Sequence, residues 1–238
     1  MVNVGETPRS WSGAPFRYIA GHVALDLVNT VDWTAAGLAE DRLNSYERLV
    51  EWSVGAKLVS ARTGERLCAH AARRMTAAAR ALRDARALRH AIRRLVLARL
   101  GHEAADPSLT ADAALASLSR MAQAAAMHHQ LAVVRRPGAK RSAPAIDWVW
   151  TGLDDAEPPL DLIVWMAAHA AAALVSSSSV DRWGVCPGAT CGWLFMDTTR
   201  NGQRRWCEMA TCGTRAKDRR RRGPLRARPT PGGKETDR

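Results

Sequence analysis

The sequence lacks a long apolar run. Its most apolar stretch, Leu162 to Val175, has 14 residues and includes His169, whereas a helix that spans a bilayer needs about 20 apolar residues. The first ten residues contain no apolar segment of the signal-peptide type. We therefore expect a cytoplasmic protein with no membrane association, in which thiols stay reduced.

Cysteines and acidic residues are also scarce. Five cysteines in a reducing compartment are expected to act as metal ligands, nucleophiles or core residues, and not as disulfides. The chain has 23 acidic residues and 35 lysines and arginines, and the resulting net charge of +12 favours a polyanionic partner. Most of this excess is local, because residues 200–228 contain 11 basic and 2 acidic residues.

The composition, 47% hydrophobic and 24% charged, is that of a folded protein. The residue pattern predicts one or two short helices between Gly21 and Trp52. Apolar residues that recur every three or four positions predict a long helix from Thr63 to Gly101, with its arginines on a solvated face. A further helix is expected from about Thr110 to His128.

After these helices the apolar period changes. Short β-prone runs at Leu131–Arg136 and Ile146–Trp150 predict an antiparallel hairpin with a long connection. A core helix should follow Pro158-Pro159 and end near Val175. We place a boundary at the serines that follow, so that residues 1–179 form a mainly α domain with a small antiparallel β component (α+β), residues 180–225 a second module and residues 226–238 a loose tail.

Four cysteines form two equally spaced pairs. Cys186 and Cys191 enclose four residues, Cys207 and Cys212 enclose four, and 15 residues separate the pairs. This is zinc-ligand spacing, and four thiolates leave no open position for a catalytic water. We therefore predict one structural Zn²⁺ ion and no catalytic residue.

Asn201-Gly202, between the cysteine pairs, is the favoured dipeptide of a type I′ hairpin turn. A hairpin at this turn, followed by a helix from Gly213 to Arg222, would give a treble-clef-like order of zinc knuckle, hairpin and helix. Trp193 and Trp206 are expected to build a small core around the zinc site.

The segment from Cys186 to about Arg222 closely resembles the CGNR zinc-finger family. The resemblance includes Arg-Arg-Trp-Cys at 204–207 and Arg-Ala-Lys at 215–217. The Cys-Gly-Asn-Arg that names the family reads Cys-Gly-Thr-Arg at 212–215 in this chain. We expect Thr214 to accept a backbone hydrogen bond near the helix start and so to preserve the fold.

The N-terminal region resembles the domain called ABATE, which accompanies this finger. The similar residues are Gly-His-Val-Ala-Leu-Asp-Leu-Val-Asn-Thr at 21–30, Asp-Arg-Leu at 41–43, and the segment 46–52. The resemblance implies a bacterial protein and a stress-related transcription regulator. A domain of this kind is expected to sense a small-molecule effector or to bind a partner chain.

The basic stretch predicts contacts to nucleic-acid phosphates, with duplex DNA as the first candidate and RNA as the alternative. A ribosome-associated finger and a finger that mediates protein contacts stay open as other interpretations. The predicted phosphate-binding residues are Arg200, Arg204, Arg205, Arg215, Lys217, Arg219, Arg220, Arg221 and Arg222.

His22, Asp26 and Asn29 are spaced by four and three residues, so on a helix they share one face. They are candidates for a ligand pocket, or for a catalytic site in a small-molecule enzyme that the finger only tethers. Capping and buried hydrogen bonding are the structural alternative, since no nucleophile or second carboxylate is spaced with them. We predict a binding protein and not an enzyme.

Overall fold

A computed structural model describes residues 15–34, 37–102, 109–134 and 145–222. It is mainly helical with three small antiparallel sheets of two strands each, which confirms the predicted fold class. The helices are α1 (Val23–Val28), α2 (Tyr46–Gly55), α3 (Ala61–Arg73), α4 (Met75–Arg99), α5 (Ala111–Ala126), α6 (Leu162–Ser176) and α7 (Thr214–Arg222). The strands are β1 (Val31–Thr34), β2 (Gly37–Asp41), β3 (His129–Val134), β4 (Ala145–Trp150), β5 (Trp183–Val185) and β6 (Leu194–Met196). The predicted tail and the connection between β3 and β4, residues 135–144, lie outside the described residues.

The centre of the molecule is a layer of helices. Helix α4 packs against α5 and α6, and α1 packs against α4 and α6. Helix α6 is apolar on almost every face and lies within this layer, as its composition predicts. The hydroxyls of Ser45, Ser60 and Thr110 cap the N-termini of α2, α3 and α5 by accepting backbone N–H groups.

The predicted long helix is two helices. The backbone of Arg74 (φ −134°, ψ 51°) leaves the helical region and separates α3 from α4. Helix α3 packs mainly against α2, whereas α4 packs against α5 and α6. A straight helix would not bring both halves to their partners, so the break allows each apolar face to be buried.

The arginines of α4 do not form a purely solvated face, contrary to the prediction. Arg89 is 1% exposed and makes two hydrogen bonds, of 2.8 and 2.7 Å, to the carboxylate of Asp41. The Arg89 guanidinium also donates to the hydroxyl of Thr30 at 3.0 Å. Helix α4 thereby holds the β1–β2 hairpin, an element that the sequence analysis did not predict.

The hairpin of β3 and β4 confirms its prediction. Its register pairs His129 with Trp150 and Val134 with Ala145 without interruption. The strands β5 and β6 form a third hairpin at the start of the cysteine-rich segment. In the part of the chain that the structure describes, no helix is long and apolar enough to cross a membrane.

Candidate metal centre and basic cleft

Four thiols meet at one point of the C-terminal segment. Cys186 follows β5, Cys191 lies in the loop between β5 and β6, and Cys212 lies in a single π-helical turn, residues 209–213, before α7. Their sulfur atoms all lie within 4.8 Å of one another, and Cys207 Sγ is 3.7 Å from Cys191 Sγ and 3.6 Å from Cys212 Sγ. The structure therefore brings together all four predicted ligands, and none of the four is in a disulfide.

This spacing fits a tetrahedral metal site. Zinc–sulfur bonds of about 2.3 Å place the sulfur atoms of a tetrahedron about 3.8 Å apart. The loop between Cys186 and Cys191 is shaped by Gly188, whose carbonyl accepts the N–H of Cys191 at 2.9 Å. A Cβ atom at Gly188 would lie 3.0 Å from Cys191 Cβ and 3.2 Å from Cys212 Sγ, so the loop leaves little room beside the sulfur atoms.

The cysteine-rich segment shares its core with the helical layer. Trp193 is buried and donates its indole N–H to the carbonyl of Val31 in β1 at 3.1 Å. Arg93 of α4 donates to the carbonyl of Gly192 at 2.8 Å and lies over the ring of Trp33. Burial lowers the pKa of Arg93 to about 10, so the side chain stays charged at neutral pH. Trp193 thus belongs to a core that is larger than the predicted zinc-site core.

Backbone contacts join the two parts at β6. The N–H of Met196 donates to the carbonyl of Ala20 at 2.7 Å. Gly21, with φ +80°, passes so close to β6 that a Cβ atom there would lie 2.5 Å from Met196 O. The position therefore requires glycine for both its backbone conformation and its contact. An ion pair between Arg17 and Glu208 adds a more exposed contact between the same two parts.

The three residues proposed for a ligand pocket each have a structural partner. The ring of His22 caps α1 by accepting the N–H of Ala24 at 3.2 Å, and burial lowers its pKa, which favours the neutral ring that this bond needs. Asp26 accepts the N–H of Ala20 at 2.9 Å. The side-chain amide of Asn29 donates to Leu194 O at 2.8 Å and accepts from Leu194 N at 3.0 Å. These contacts match the capping and buried hydrogen bonding given as the structural alternative.

The predicted turn at Asn201-Gly202 differs from a type I′ hairpin. Gly202 has φ +61°, but Asn201 does not have the positive φ that the type I′ turn also requires. Strand β6 pairs with β5, and the segment after the turn forms no strand. The carboxylate of Asp197 closes this loop by accepting the N–H groups of Thr199 at 2.8 Å and of Arg204 at 2.7 Å. The Thr199 hydroxyl and these N–H groups hold the pKa of Asp197 below its ordinary value.

Arg204 is built into the fold. Its guanidinium donates to the carbonyls of Ile19 at 2.5 Å and Trp206 at 3.1 Å, and it lies over the ring of Phe195. It also donates to the carbonyls of Met196 and Cys207. With its donors used in this way, Arg204 is a structural residue and not the phosphate ligand that the sequence analysis predicted.

A cleft of about 1110 Å³ opens between the 199–206 loop and α7. The half-buried Trp206 and the exposed Met209 contribute apolar surface to its lining. Five predicted phosphate-binding residues with exposed side chains line this cleft, namely Arg200, Arg205, Lys217, Arg219 and Arg220. We refer to this site as the basic cleft.

The remaining basic residues of α7 lie elsewhere. Arg215 lines a smaller cavity of about 190 Å³ beside Cys191 and Cys212. Arg221 lines a shallow depression next to the basic cleft together with Lys217. Arg222 is the last residue of α7, and its side chain lies outside the described residues.

Two protein-family models match the chain. Residues 21–178 match the model of ABATE, described as "Putative stress-induced transcription regulator". The chain belongs to the ABATE family. Residues 182–223 of this ABATE protein match the model of the CGNR zinc finger, and this segment contains the four clustered thiols and the five cations of the basic cleft. No curated protein matches the chain, and neither family description names an enzymatic reaction.

The CGNR segment has Thr214 at the position of the asparagine in Cys-Gly-Asn-Arg, and Thr214 has a structural role at the start of α7. Thr214 is the first residue of α7, and its hydroxyl donates to the carbonyl of Met209 at 3.2 Å. The bond runs in the opposite direction from the one we predicted, in which the hydroxyl accepts. It still ties the π-helical turn that contains Cys212 to the start of α7.

Proposed function

We propose that this ABATE protein is a zinc-dependent regulator that binds nucleic acid through the basic cleft, with duplex DNA as its target. The observation that carries this proposal is the arrangement of five exposed cations around one cleft whose walls are fixed by the thiol cluster and by Arg204. Phosphate groups are the partners that such a set of cations would bind most favourably. The proposed mechanism is binding without catalysis.

The thiol cluster supports one structural Zn²⁺ ion. Four thiolates would complete its coordination shell, so the ion would hold Cys186 and Cys191 of the β5–β6 loop against Cys207 and Cys212 before α7. In small zinc modules the metal contributes on the order of 10 kcal/mol to folding. The proposed role of the metal is therefore to fix α7 opposite the 199–206 loop. A reducing compartment such as the bacterial cytoplasm would keep these thiols available.

The N-terminal domain offers a candidate place for an effector. A cleft of about 250 Å³ lies between α4, α5 and α6, and its lining includes Arg80, Asp161 and Trp165. Arg80 and Asp161 form an ion pair at 2.5 Å at this cleft. A small polar molecule with an apolar portion would suit such a lining. The proposal of an effector-sensing domain rests on this cleft.

The proposal is tested by equilibrium binding of the zinc-loaded full chain to a fluorescent duplex of about 25 base pairs at about 150 mM salt. The variant Lys217→Gln/Arg220→Gln removes two cations of the basic cleft. The matched control Arg62→Gln/Arg83→Gln removes two exposed cations from α3 and α4. We expect at least about a tenfold loss of affinity for the cleft variant and little change for the control.

A structured RNA of equal charge is titrated in parallel. Preference for the duplex DNA supports the proposal in full, whereas preference for the RNA moves the function to an RNA-binding protein. Equal losses for the cleft variant and the control would mean that net charge and not the cleft accounts for binding. That result would overturn the proposal.

A further inference from the structure

The hairpin of β3 and β4 presents an apolar surface to solvent. Cross-strand pairs share one face of a two-stranded sheet, and on one face Leu131 pairs with Trp148 and Val133 pairs with Ile146. These four side chains are 57–71% exposed. We call them the hairpin patch. Large apolar side chains that are contiguous and exposed mark interaction sites in soluble proteins.

At the base of the hairpin, α6 covers the same face. There His129 pairs with Trp150, their rings stack at 4.3 Å, and His129 contacts His169 of α6 with ring centroids 4.7 Å apart. Beyond this pair the face extends outward as the hairpin patch. A two-stranded hairpin is marginally stable in water without a covering layer. The outer part of this hairpin therefore gains stability when a second surface packs on it.

The chemistry of the patch indicates what that surface is. Strands β3 and β4 contain no lysine or arginine, and their one acidic residue, Asp147, pairs with Ala132 on the opposite face. Although the chain has a net charge of +12, this face is therefore apolar and uncharged. A polyanion would gain nothing from these four side chains, whereas an identical apolar face would bury them.

We propose that the hairpin patch is a dimer interface, on which a second copy of this chain packs face to face about a two-fold axis. A two-fold axis that lies between the two sheets, parallel to them and perpendicular to their strands, lets one surface serve both partners. It also places the Val134–Ala145 ends of the two hairpins at opposite ends of the interface.

The size of the patch sets the strength expected of the dimer. Its four side chains, each 57–71% exposed, provide less apolar surface than the roughly 800 Å² that each partner buries in a specific interface of standard size. Met127, which is 83% exposed just before β3, lies next to the patch in sequence and is available to extend it. We therefore expect a reversible dimer with a dissociation constant in the range of about 1–100 µM.

Sedimentation velocity of the zinc-loaded full chain from about 1 to 200 µM tests the proposal. The variant Val133→Thr/Ile146→Thr keeps β-branched residues in the strands and removes apolar surface from the patch. The matched control Met75→Gln removes an apolar side chain that is 76% exposed at the start of α4. We expect a concentration-dependent dimer for the wild type, a dissociation constant raised at least about tenfold for the hairpin variant, and no change for the control.

If the hairpin variant unfolds, amide hydrogen exchange of the wild-type protein tests the proposal instead. Protection of residues 129–134 and 145–150 from exchange should rise with protein concentration. Protection of α3 and α4 should stay constant. A wild type that sediments as a monomer throughout, or a dimer that the hairpin variant leaves intact, would overturn the proposal. A monomer that cosediments with phosphatidylglycerol vesicles through the patch would assign the patch to a membrane surface instead. None of these outcomes depends on nucleic-acid binding.

Discussion

Asn29 illustrates how a single polar side chain joins distant parts of this chain. It lies 165 residues from Leu194 in sequence, and its side-chain amide satisfies both the N–H and the carbonyl of that residue. The side chain is 4% exposed, so water does not replace these bonds easily. The spacing of His22, Asp26 and Asn29 predicted a shared helix face, but only the fold reveals that the partner of Asn29 is β6.

Replacing Asn29 by Ala should destabilise the protein by about 2–4 kcal/mol, because two buried backbone groups of Leu194 lose their partners. The free energy of unfolding from urea denaturation measures this change. Gln123→Ala, at an exposed position of α5, is the control and should change stability by less than about 0.5 kcal/mol. An Asn29 variant as stable as the control would show that the amide contributes nothing to the contact.

The buried carboxyl of Asp26 predicts how the stability of the protein depends on pH. Burial raises its pKa to about 6, although the backbone N–H groups of Ala20 and Ile19 act in the opposite direction. Between about pH 4 and pH 6 the folded state therefore keeps a proton on Asp26 that the unfolded state has lost. The free energy of unfolding consequently falls as the pH rises through this range. Asp26→Asn removes this loss of stability, so its stability relative to the wild type should increase by up to about 3 kcal/mol between pH 4 and pH 6 and then stay constant.

The measurement is urea denaturation of both proteins at several pH values. Using the difference between the two proteins cancels the other titrating groups they share. A difference that is independent of pH, or that falls between pH 4 and pH 6, would contradict the assigned pKa shift.

At the scale of elements, local sequence patterns predicted the helices, strands and cysteine cluster that depend mainly on local interactions. The period of apolar residues gave α5, α6 and the β3–β4 hairpin, and the cysteine spacing predicted the thiol cluster. The β1–β2 hairpin was missed because Arg89, 48 residues away, stabilises it through Asp41. The Asn201-Gly202 hairpin was wrong because β6 pairs with the earlier strand β5 and the carboxylate of Asp197 takes the N–H of Arg204.

Arg204 shows the same limit within the site. In sequence it is one of several arginines in a basic stretch, and nothing local distinguishes it from Arg205. In the structure it reaches the carbonyl of Ile19, 185 residues away, while Arg205 is exposed at the basic cleft. Which cations are structural and which are available to a ligand depends on the tertiary fold.

Metal removal should affect more than the thiol cluster. Because β6 is bonded to Asn29 and Ala20, loss of the zinc fold should expose α1 and β1 as well as residues 183–222. Hydrogen exchange of the chelated protein and of Cys207→Ser should show lost protection in both regions, with α5 retained as the internal control. Restored protection on addition of zinc to the chelated protein, and not to the variant, is expected. Exchange that changes only within residues 183–222 would show that the two parts fold independently.

At the scale of the whole molecule, the CGNR finger and the ABATE domain form one continuous core. Trp193, Leu194 and Cys186 are buried in the same cluster as residues of α1 and α4. An effector bound between α4, α5 and α6 would therefore act on the basic cleft through packed helices and not through a loose linker. A dimer through the hairpin patch would bring two such clefts into one symmetric particle, which suits a pseudo-palindromic DNA site.

The central claim is that the basic cleft binds nucleic-acid phosphates, and the salt dependence of duplex binding tests it most directly. The logarithm of the association constant is measured against the logarithm of salt concentration between about 50 and 200 mM, where each phosphate contact contributes a slope of about −0.9. If both cleft cations contact phosphates, Lys217→Gln/Arg220→Gln should have a slope shallower than the wild type by about 2, and Arg62→Gln/Arg83→Gln the wild-type slope. A cleft variant with the wild-type slope would contradict the account, because its two cations would then contact no phosphate.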